Sequence, residues 1–249
     1  MTWQAAVGRG IDGFLGRGLD LICPPRCLLC RAETPHPAEP VRVCDACRRL
    51  LAADGPRCRL CGSLSADDGN CRVCRGKWRS WDGIVVLGGY SDELRSAVLA
   101  AKRPTGALVV AGLATLLLER HRQTVAAWNP EVVVPVPMHW TRRLARGSSA
   151  AEGLAERLAS GLGLPCRSQL RRVRATRMQN ELHPADRHAN VRGVFRSAAA
   201  AGRRVLLVDD VTTTGATLAE CRAALVTAGA SAVFAAVVAR ADRGDTGTD

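Results

Sequence analysis

The chain has 249 residues, of which 47% are hydrophobic, and its formal net charge is +12 at pH 7. That length suffices for one sizeable α/β domain together with a smaller module. No stretch approaches the roughly 18 to 20 uninterrupted apolar residues of a membrane span. Charged residues also interrupt the apolar N-terminal stretch, which argues against a secretory signal peptide. We therefore expect a cytoplasmic protein with no membrane span.

The positive charge comes almost entirely from arginine, because Lys77 and Lys102 are the only lysines. Such a balance is typical of nucleic-acid binding, but a protein that handles small phosphate ligands is also expected to be basic. If eight thiolates bound two Zn²⁺ ions, the net charge would fall by four, to about +8. The composition therefore leaves open whether DNA or RNA is bound.

Cysteine usage divides the chain into a small module and a larger domain. Nine of the eleven cysteines lie between Cys23 and Cys74. Residues 1–22 carry apolar side chains at helical spacing, which predicts an N-terminal amphipathic helix. We assign residues 23–78 to the cysteine module and residues 81–242 to the larger domain. Residues 243–249 are polar, and we expect this tail to be disordered.

Four CxxC pairs follow one another in the cysteine module. A CxxC pair places two sulfurs on one tight turn, and two such turns supply the four thiolates of a tetrahedral Zn²⁺ site. The alternatives are disulfides, a redox site or an iron–sulfur cluster. Disulfides would conflict with a cytoplasmic location, and a redox CxxC usually occurs once beside a βαβ pattern. The module is therefore interpreted as a double zinc ribbon with two structural zinc ions. Neighbouring pairs sharing one ion is the simplest scheme, and a cross-braced scheme is left open. The predicted ligands are Cys27, Cys30, Cys44, Cys47, Cys58, Cys61, Cys71 and Cys74.

The larger domain alternates strand-like and helix-like segments. Strands separated by helices predict an α/β fold with a mostly parallel sheet and helices on its faces. Residues 167–197 are polar and rich in arginine, and they show no clean periodicity. In chain order, we expect strands at Ile84–Tyr90, Glu131–Pro137, Val205–Asp210 and Ala232–Ala239, and helices at Ser91–Lys102, Ala107–Gln123, Ala150–Leu162 and Thr217–Ala228.

The segment Val205–Leu218 reads VLLVDDVTTTGATL. Its buried strand carries Asp209 and Asp210 to the carboxyl edge of the predicted sheet, where parallel α/β sheets bind ligands. Gly215 permits a turn that a Cβ would hinder, and the threonine hydroxyls with the N–H groups at the helix start form an anion cradle. Paired carboxylates beside the cradle suit hydroxyls or Mg²⁺. A ribose 5-phosphate satisfies both halves, whereas an ordinary βα turn needs only one capping residue.

This segment resembles the motif of type I phosphoribosyltransferases that binds 5-phosphoribosyl 1-pyrophosphate (PRPP). With the cysteine module in front, the chain resembles the ComF family (ComF/GntX). Its members join an N-terminal zinc ribbon to such a domain and are associated with DNA uptake during natural competence. Further similarities are the start of the zinc module at Pro24–Cys27, the lysine Lys102, a pyrophosphate loop at Val134–Gly147 and a later signature at Arg174–Phe195.

The resemblance implies a type I phosphoribosyltransferase-like parallel sheet in residues 81–242 and a site for PRPP with Mg²⁺. Asp209 and Asp210 would be the catalytic residues, holding the ribose hydroxyls and stabilising positive charge at C1 as pyrophosphate leaves. The expected PRPP-binding residues are Val211, Thr212, Thr213, Thr214, Gly215, Ala216, Thr217, Lys102, Pro137, His139, Arg143 and Arg146.

One departure from the family pattern leaves two functions open. The family continues Arg-Gly-Phe-Asn-Gln at the end of the pyrophosphate loop, whereas this chain reads Arg146-Gly147-Ser148-Ser149-Ala150. The first hypothesis is an enzyme that transfers phosphoribosyl to an acceptor and releases pyrophosphate. The second is a non-catalytic module that binds PRPP or a nucleotide and also binds single-stranded DNA or a competence partner.

Overall fold

The computed structural model describes residues 24–34, 43–51, 55–65, 71–73, 82–138, 149–173 and 193–241. The helices and strands within these ranges are, in chain order, α1 (Asp45–Leu51), β1 (Gly83–Gly89), α2 (Asp92–Ala101), α3 (Ala107–Ala127), β2 (Val132–Pro135), α4 (Ala150–Leu162), β3 (Leu170–Arg172), β4 (Phe195–Ser197), β5 (Arg204–Thr212), α5 (Ala216–Thr227) and β6 (Ala232–Arg240).

Four strands form one parallel sheet in the order β1-β6-β5-β2. Val205 of β5 pairs with Val132 on one side and with Val233 on the other, and Gly83 of β1 pairs with Phe234 of β6. Along the chain, at least one helix lies between each of these four strands and the next, as crossover connections between parallel strands require. The predicted α/β parallel sheet is therefore confirmed.

Both faces of the sheet are buried under helices. Leu206 and Val208 of β5 belong to one core cluster, and Val205 and Leu207 belong to another, because successive side chains of a strand point to opposite faces. The first cluster is completed by Leu113 and Leu117 of α3 and Leu154 and Leu158 of α4. The second is completed by Leu218, Cys221 and Leu225 of α5. Helices on both faces explain why the strands are nearly continuous runs of apolar residues.

The predicted strands and helices of the larger domain are present, with small shifts at their ends. α3 continues past Gln123 to Ala127, and β5 continues past Asp210 to Thr212. Residues 1–22 and 243–249, predicted as an amphipathic helix and a disordered tail, lie outside the described residues.

Residues 167–197 contain a short hairpin that the periodicity did not predict. β3 and β4 pair antiparallel, with Arg171 opposite Arg196, and β4 packs against α5. Strands of three residues are too short to show an alternating pattern, and their pairing partner is distant in sequence. Such a hairpin depends on the helix beneath it, since an isolated pair of short strands is only marginally stable.

The cysteine module packs against the larger domain. Leu29 lies against Gly112 of α3, where an added Cβ would be only 3.0 Å from its side chain. Arg48 of α1 donates two hydrogen bonds, of 3.0 and 2.9 Å, to the carboxylate of Glu119. Cys27, Cys47 and Leu51 accordingly belong to the same core cluster as α3 and α4.

Among the helices that the structure describes, none has both the length and the apolar character that crossing a bilayer requires.

Candidate functional site

The carboxylate pair lies at the end of β5. Asp209 is buried and Asp210 is partly buried. The backbone N–H of Asp210 donates to Oδ1 of Asp209 at 2.9 Å, and the N–H of Val211 donates to Oδ1 of Asp210 at 2.8 Å. These bonds hold each carboxylate against its own strand. The pair is therefore oriented before any ligand binds.

Lys102 contacts this pair from the loop after α2. Its Nζ lies 2.9 Å from Oδ2 of Asp210, and the two side chains are 28% and 18% exposed. Burial by itself would lower the pKa of the Lys102 ammonium, but Asp210 and then Asp209 raise that pKa above its ordinary value. Lys102 and the carboxylates, which are about 107 residues apart in sequence, thus form one charged cluster.

Asp209 is the most strongly perturbed member of the cluster. Burial, followed by the adjacent carboxylate of Asp210, raises the pKa of Asp209 well above its ordinary value, and Lys102 partly offsets this effect. A carboxylate in apolar surroundings loses hydration, and a like charge beside it adds repulsion. Perturbed acids of this kind are typical of functional sites.

The threonine-rich segment turns directly from β5 into α5. Gly215 has φ +77°, a left-handed conformation, which a glycine adopts without steric cost. The Oγ1 of Thr214 accepts a hydrogen bond from the N–H of Ala216 at 3.4 Å. Thr213, Thr214 and Thr217 are partly exposed beside the N-terminus of α5. Hydroxyls and a helix N-terminus at one turn favour an anion.

The end of β2 reaches the same edge of the sheet. The N–H of Val136 donates to the carbonyl of Val208 at 2.9 Å, so the chain runs beside β5 up to the residue before Asp209. Pro137 follows there and is partly buried. His139, Arg143 and Arg146 lie outside the described residues. The structure thus brings part of the predicted site together, namely Lys102, Pro137, Asp209, Asp210, Val211, Thr212, Thr213, Thr214, Gly215, Ala216 and Thr217.

The first two CxxC pairs form one group of sulfurs. The Sγ atoms of Cys27, Cys30, Cys44 and Cys47 lie within 4.8 Å of one another. Cys27 and Cys47 are 3.8 Å apart, and Cys30 and Cys44 are 3.6 Å apart. A Zn–S bond of about 2.3 Å in tetrahedral geometry requires sulfurs about 3.8 Å apart. The spacing therefore fits zinc.

The third pair gathers with Cys71 in the same way. The Sγ atoms of Cys58, Cys61 and Cys71 also lie within 4.8 Å of one another, with Cys61 and Cys71 at 3.7 Å. Cys74, the predicted fourth ligand, lies outside the described residues. In the part of the chain that the structure describes, neighbouring pairs share a centre, as the simplest scheme predicts.

Backbone N–H groups point at the sulfurs in both ribbons. Leu29 donates to Cys27 Sγ and Leu60 donates to Cys58 Sγ, each at 3.4 Å. Burial would raise the pKa of the Cys27 thiol, but the backbone N–H groups around it lower that pKa to about 6. Donors of this kind stabilise a thiolate, which is the form that binds a metal.

Two buried or partly buried polar residues were not singled out from the sequence. His121 is partly buried, and its Nε2 lies 3.0 Å from the carbonyl oxygen of Val86. Arg240 is 7% exposed at the end of β6, where it pairs with Thr212 of β5. Arg240 could have been noticed in the sequence, because it is an arginine at the end of an otherwise apolar strand. Which strand lies beside it, however, depends on the order of strands in the sheet.

Comparison with known proteins agrees with this two-part organisation. Residues 18–75 match the double zinc ribbon domain family, and residues 105–248 match the phosphoribosyl transferase domain family. Competence protein F of Haemophilus influenzae is 32% identical over 204 residues, which cover 78% of this chain and 88% of that protein. The DNA utilization protein YhgH of Salmonella typhimurium is 32% identical over 219 residues, which cover 86% and 96%.

A purine phosphoribosyltransferase of Pyrococcus horikoshii is similar in structure, with 17% identity and a TM-score of 0.34 over 51% of this chain and 82% of that one. The family assignment itself rests on the sequence relatives and the two domain families. The chain therefore belongs to the ComF family, that of competence protein F and YhgH, and joins a double zinc ribbon to a phosphoribosyl transferase domain.

Proposed function

We propose that this protein binds PRPP with Mg²⁺ at the carboxyl edge of β5 and transfers the phosphoribosyl group to an acceptor, releasing pyrophosphate. The observation that carries the proposal is the single segment, from the end of β5 to the first turn of α5, in which two oriented carboxylates, a hydroxyl-rich loop and a helix N-terminus follow one another from Asp209 to Thr217. We place the reaction in the cytoplasm.

Each part of the site has a task in this reaction. The loop Thr213–Thr217 anchors the 5′-phosphate at the N-terminus of α5. Asp209 and Asp210 accept hydrogen bonds from the ribose hydroxyls and stabilise positive charge that develops at C1 as the bond to pyrophosphate breaks. Mg²⁺, when bound, would neutralise charge on the leaving pyrophosphate, which His139, Arg143 and Arg146 would also contact. Positioning and electrostatics suffice, and no side chain acts as a nucleophile.

The test is a calorimetric titration with PRPP, with and without Mg²⁺, followed by a pyrophosphate-release assay with a panel of nucleobases. We expect Asp209→Asn combined with Asp210→Asn to weaken PRPP binding by about tenfold or more, because hydrogen bonds to charged groups contribute about 1.5–3 kcal/mol each. Zinc content should remain that of the wild type, since the ligands of both zinc centres are unchanged.

The matched control is Asp92→Asn with Glu93→Gln, which removes the same two charges from an exposed turn of α2. PRPP affinity of the carboxylate variant equal to that of this control would refute the site assignment.

The second candidate is binding without turnover, and Ser149 favours it. This serine stands where the family has an asparagine, is 6% exposed, and accepts a hydrogen bond from the N–H of Glu152 at the start of α4. A serine has no side-chain amide, and the hydroxyl of this one caps a helix, so it does not replace the asparagine as a contact for a ligand. PRPP binding without pyrophosphate release with any nucleobase would select this candidate and reject the transferase.

A related proposal is that the protein binds single-stranded DNA or a competence partner through its basic surface. The net charge of +12 and relatives named for competence and DNA utilization support it. DNA affinity that depends on phosphate contacts must fall as salt rises. Affinity that is independent of salt would argue against this interaction.

A further inference from the structure

The second zinc ribbon, here residues 55–65 and 71–73, lies directly against β1. The N–H of Ile84 donates to the carbonyl of Arg59 at 2.8 Å. Gly62 has φ +73°, and a Cβ added there would be 2.5 Å from Cγ2 of Val86. The turn that carries Cys61 thus rests on the strand with no space for an additional methyl group.

A small cavity separates this ribbon from the phosphate loop, here residues 211–217. Cys61 and Val73 line it from the ribbon, and Thr212, Thr214 and Gly215 line it from the loop. A predicted zinc ligand and the residues proposed to hold phosphate therefore form walls of one cavity. A displacement of the ribbon therefore changes the space beside the phosphate loop, and a displacement of the loop changes the space beside the ribbon.

Arg240 connects the two walls. It lines the same cavity, and the Cβ position at Gly62 lies 3.7 Å from its Cδ. On the other side, Arg240 pairs with Thr212, and the N–H of Ala241 donates to the carbonyl of Thr212 at 2.9 Å. A buried side chain between two backbone segments transmits displacement, because packed interiors are nearly incompressible.

The first ribbon provides an internal contrast. Cys27 and Cys47 belong to the core cluster of α3 and α4, whereas the second ribbon contacts Val86, which belongs to the cluster of α5. The two ribbons therefore meet opposite faces of the sheet. The cavity beside the phosphate loop is lined by the second ribbon and not by the described residues of the first.

We propose that the second zinc ribbon positions the phosphate loop, so that zinc binding at Cys58, Cys61 and Cys71 and phosphoribosyl-ligand binding at the loop are coupled. The inference rests on the proposed ligand, but not on turnover. Coupling between two sites is reciprocal: zinc in this ribbon raises the affinity for the ligand, and the ligand raises the affinity for zinc by the same factor. The first ribbon lacks this coupling.

The first experiment uses Gly62→Ala, which retains every cysteine but forces the turn away from Val86 and strains a left-handed backbone. We expect two zinc ions per chain as in the wild type, and an affinity for ribose 5-phosphate, measured by calorimetry, that is about fivefold weaker. Gly55→Ala is the matched control, because no atom lies within 4 Å of a Cβ at that position in the same ribbon. Adding Val86→Ala to Gly62→Ala removes the clashing methyl group and should partly restore affinity.

The second experiment measures the reciprocal effect, which a purely structural ribbon would not show. Zinc affinity is measured at equilibrium by competition with a chromogenic chelator, with and without saturating ribose 5-phosphate. We expect the ligand to raise the zinc affinity of one centre about fivefold and to leave the other unchanged. In a Cys30→Ser variant, which removes a predicted ligand of the first centre, this ligand-dependent rise should remain. In Cys61→Ser it should disappear.

The outcomes separate the two proposals. If wild-type protein binds ribose 5-phosphate and Gly62→Ala binds it equally well, the coupling is wrong and the proposed ligand stands. Weaker binding by Gly62→Ala without a ligand-dependent rise in zinc affinity in the wild type would indicate local distortion only, and it would also overturn the coupling. Wild-type protein that binds neither ribose 5-phosphate nor PRPP would overturn both proposals.

Discussion

Lys102 is the counter-ion of the carboxylate pair. Its ammonium lies 2.9 Å from Asp210, and it opposes the rise in the pKa of Asp209 that burial and Asp210 cause. Two adjacent carboxylates at the end of a buried strand repel each other, and a cation between helix and strand reduces that cost. Gathering these charges in a partly buried cluster costs folding stability, and functional sites commonly carry such a cost.

Lys102→Met should shift the pH dependence of ligand binding. Without the ammonium, the pKa of the Asp209 carboxyl rises further. As pH falls, Asp209 then takes up its proton at a higher pH, and PRPP binding that requires the ionised carboxylate is lost at a higher pH than in the wild type. Calorimetric titrations across a pH series measure the shift.

Lys102→Arg is the control for this prediction, because it retains a positive charge beside Asp210. The acidic side of its pH profile for PRPP binding should stay near that of the wild type. The same pH profile for Lys102→Met and wild-type protein would show that Lys102 does not influence the carboxylates as the 2.9 Å contact indicates.

Helix α4 shows how a departure from the family pattern can serve a local structural need. Ser149 precedes its first residue in an extended conformation, and its side chain accepts the N–H of Glu152 at 3.4 Å. At the other end, Gly163 has φ +69° and stops the helix. Serine and asparagine are about equally good at a helix N-cap. The change from the family's asparagine therefore leaves the start of α4 intact.

Ser149→Ala should destabilise the protein by about 1 kcal/mol, because it leaves an N–H of the first turn without its side-chain acceptor. Ser149→Asn should have nearly wild-type stability, since an asparagine also caps the helix. Chemical denaturation measures both. Ser160→Ala, at an exposed position of the same helix, is the control. Equal stability of Ser149→Ala and this control would contradict a capping role.

At the scale of the whole molecule, the first zinc ribbon is part of the core, whereas the buried cysteines of the second form a small cluster of their own that packs on the sheet. Cys27, Val43, Cys47 and Leu51 are buried in the cluster that contains α3 and α4, and the second ribbon covers Ile84 and Val86 from the other side. β1 is an edge strand of the sheet, and covering such an edge protects it from pairing with other chains. The ribbons thus complete the larger domain.

Removal of zinc should therefore destabilise the whole chain. We expect a chelator to lower the temperature of one common unfolding transition, because binding of zinc to the native state contributes folding free energy, the first ribbon shares the main core and the second packs directly on β1. Scanning calorimetry with and without chelator tests this. Separate melting of the ribbons at low temperature, with an unchanged transition for the larger domain, would contradict a shared core.

The sequence by itself predicted the residues of both candidate sites. CxxC spacing identifies zinc ligands because two sulfurs on one turn are a local property, and the gathering of Cys27, Cys30, Cys44 and Cys47 agrees with it. The run from Asp209 to Thr217 is likewise local, so its strand, turn and helix could be predicted together. Apolar runs separated by helical periodicity were enough for the α/β sheet.

Only the tertiary structure decided which distant segments meet. The contact of Lys102 with Asp210 depends on the packing of α2 against the sheet, and the hairpin β3–β4 depends on α5 beneath it. Arg240 adjoins Thr212 because β6 lies between β1 and β5. None of these contacts follows from local pattern, since each depends on which helices and strands pack together around a sheet that is buried on both faces. The position of the second ribbon beside the phosphate loop arises in the same way.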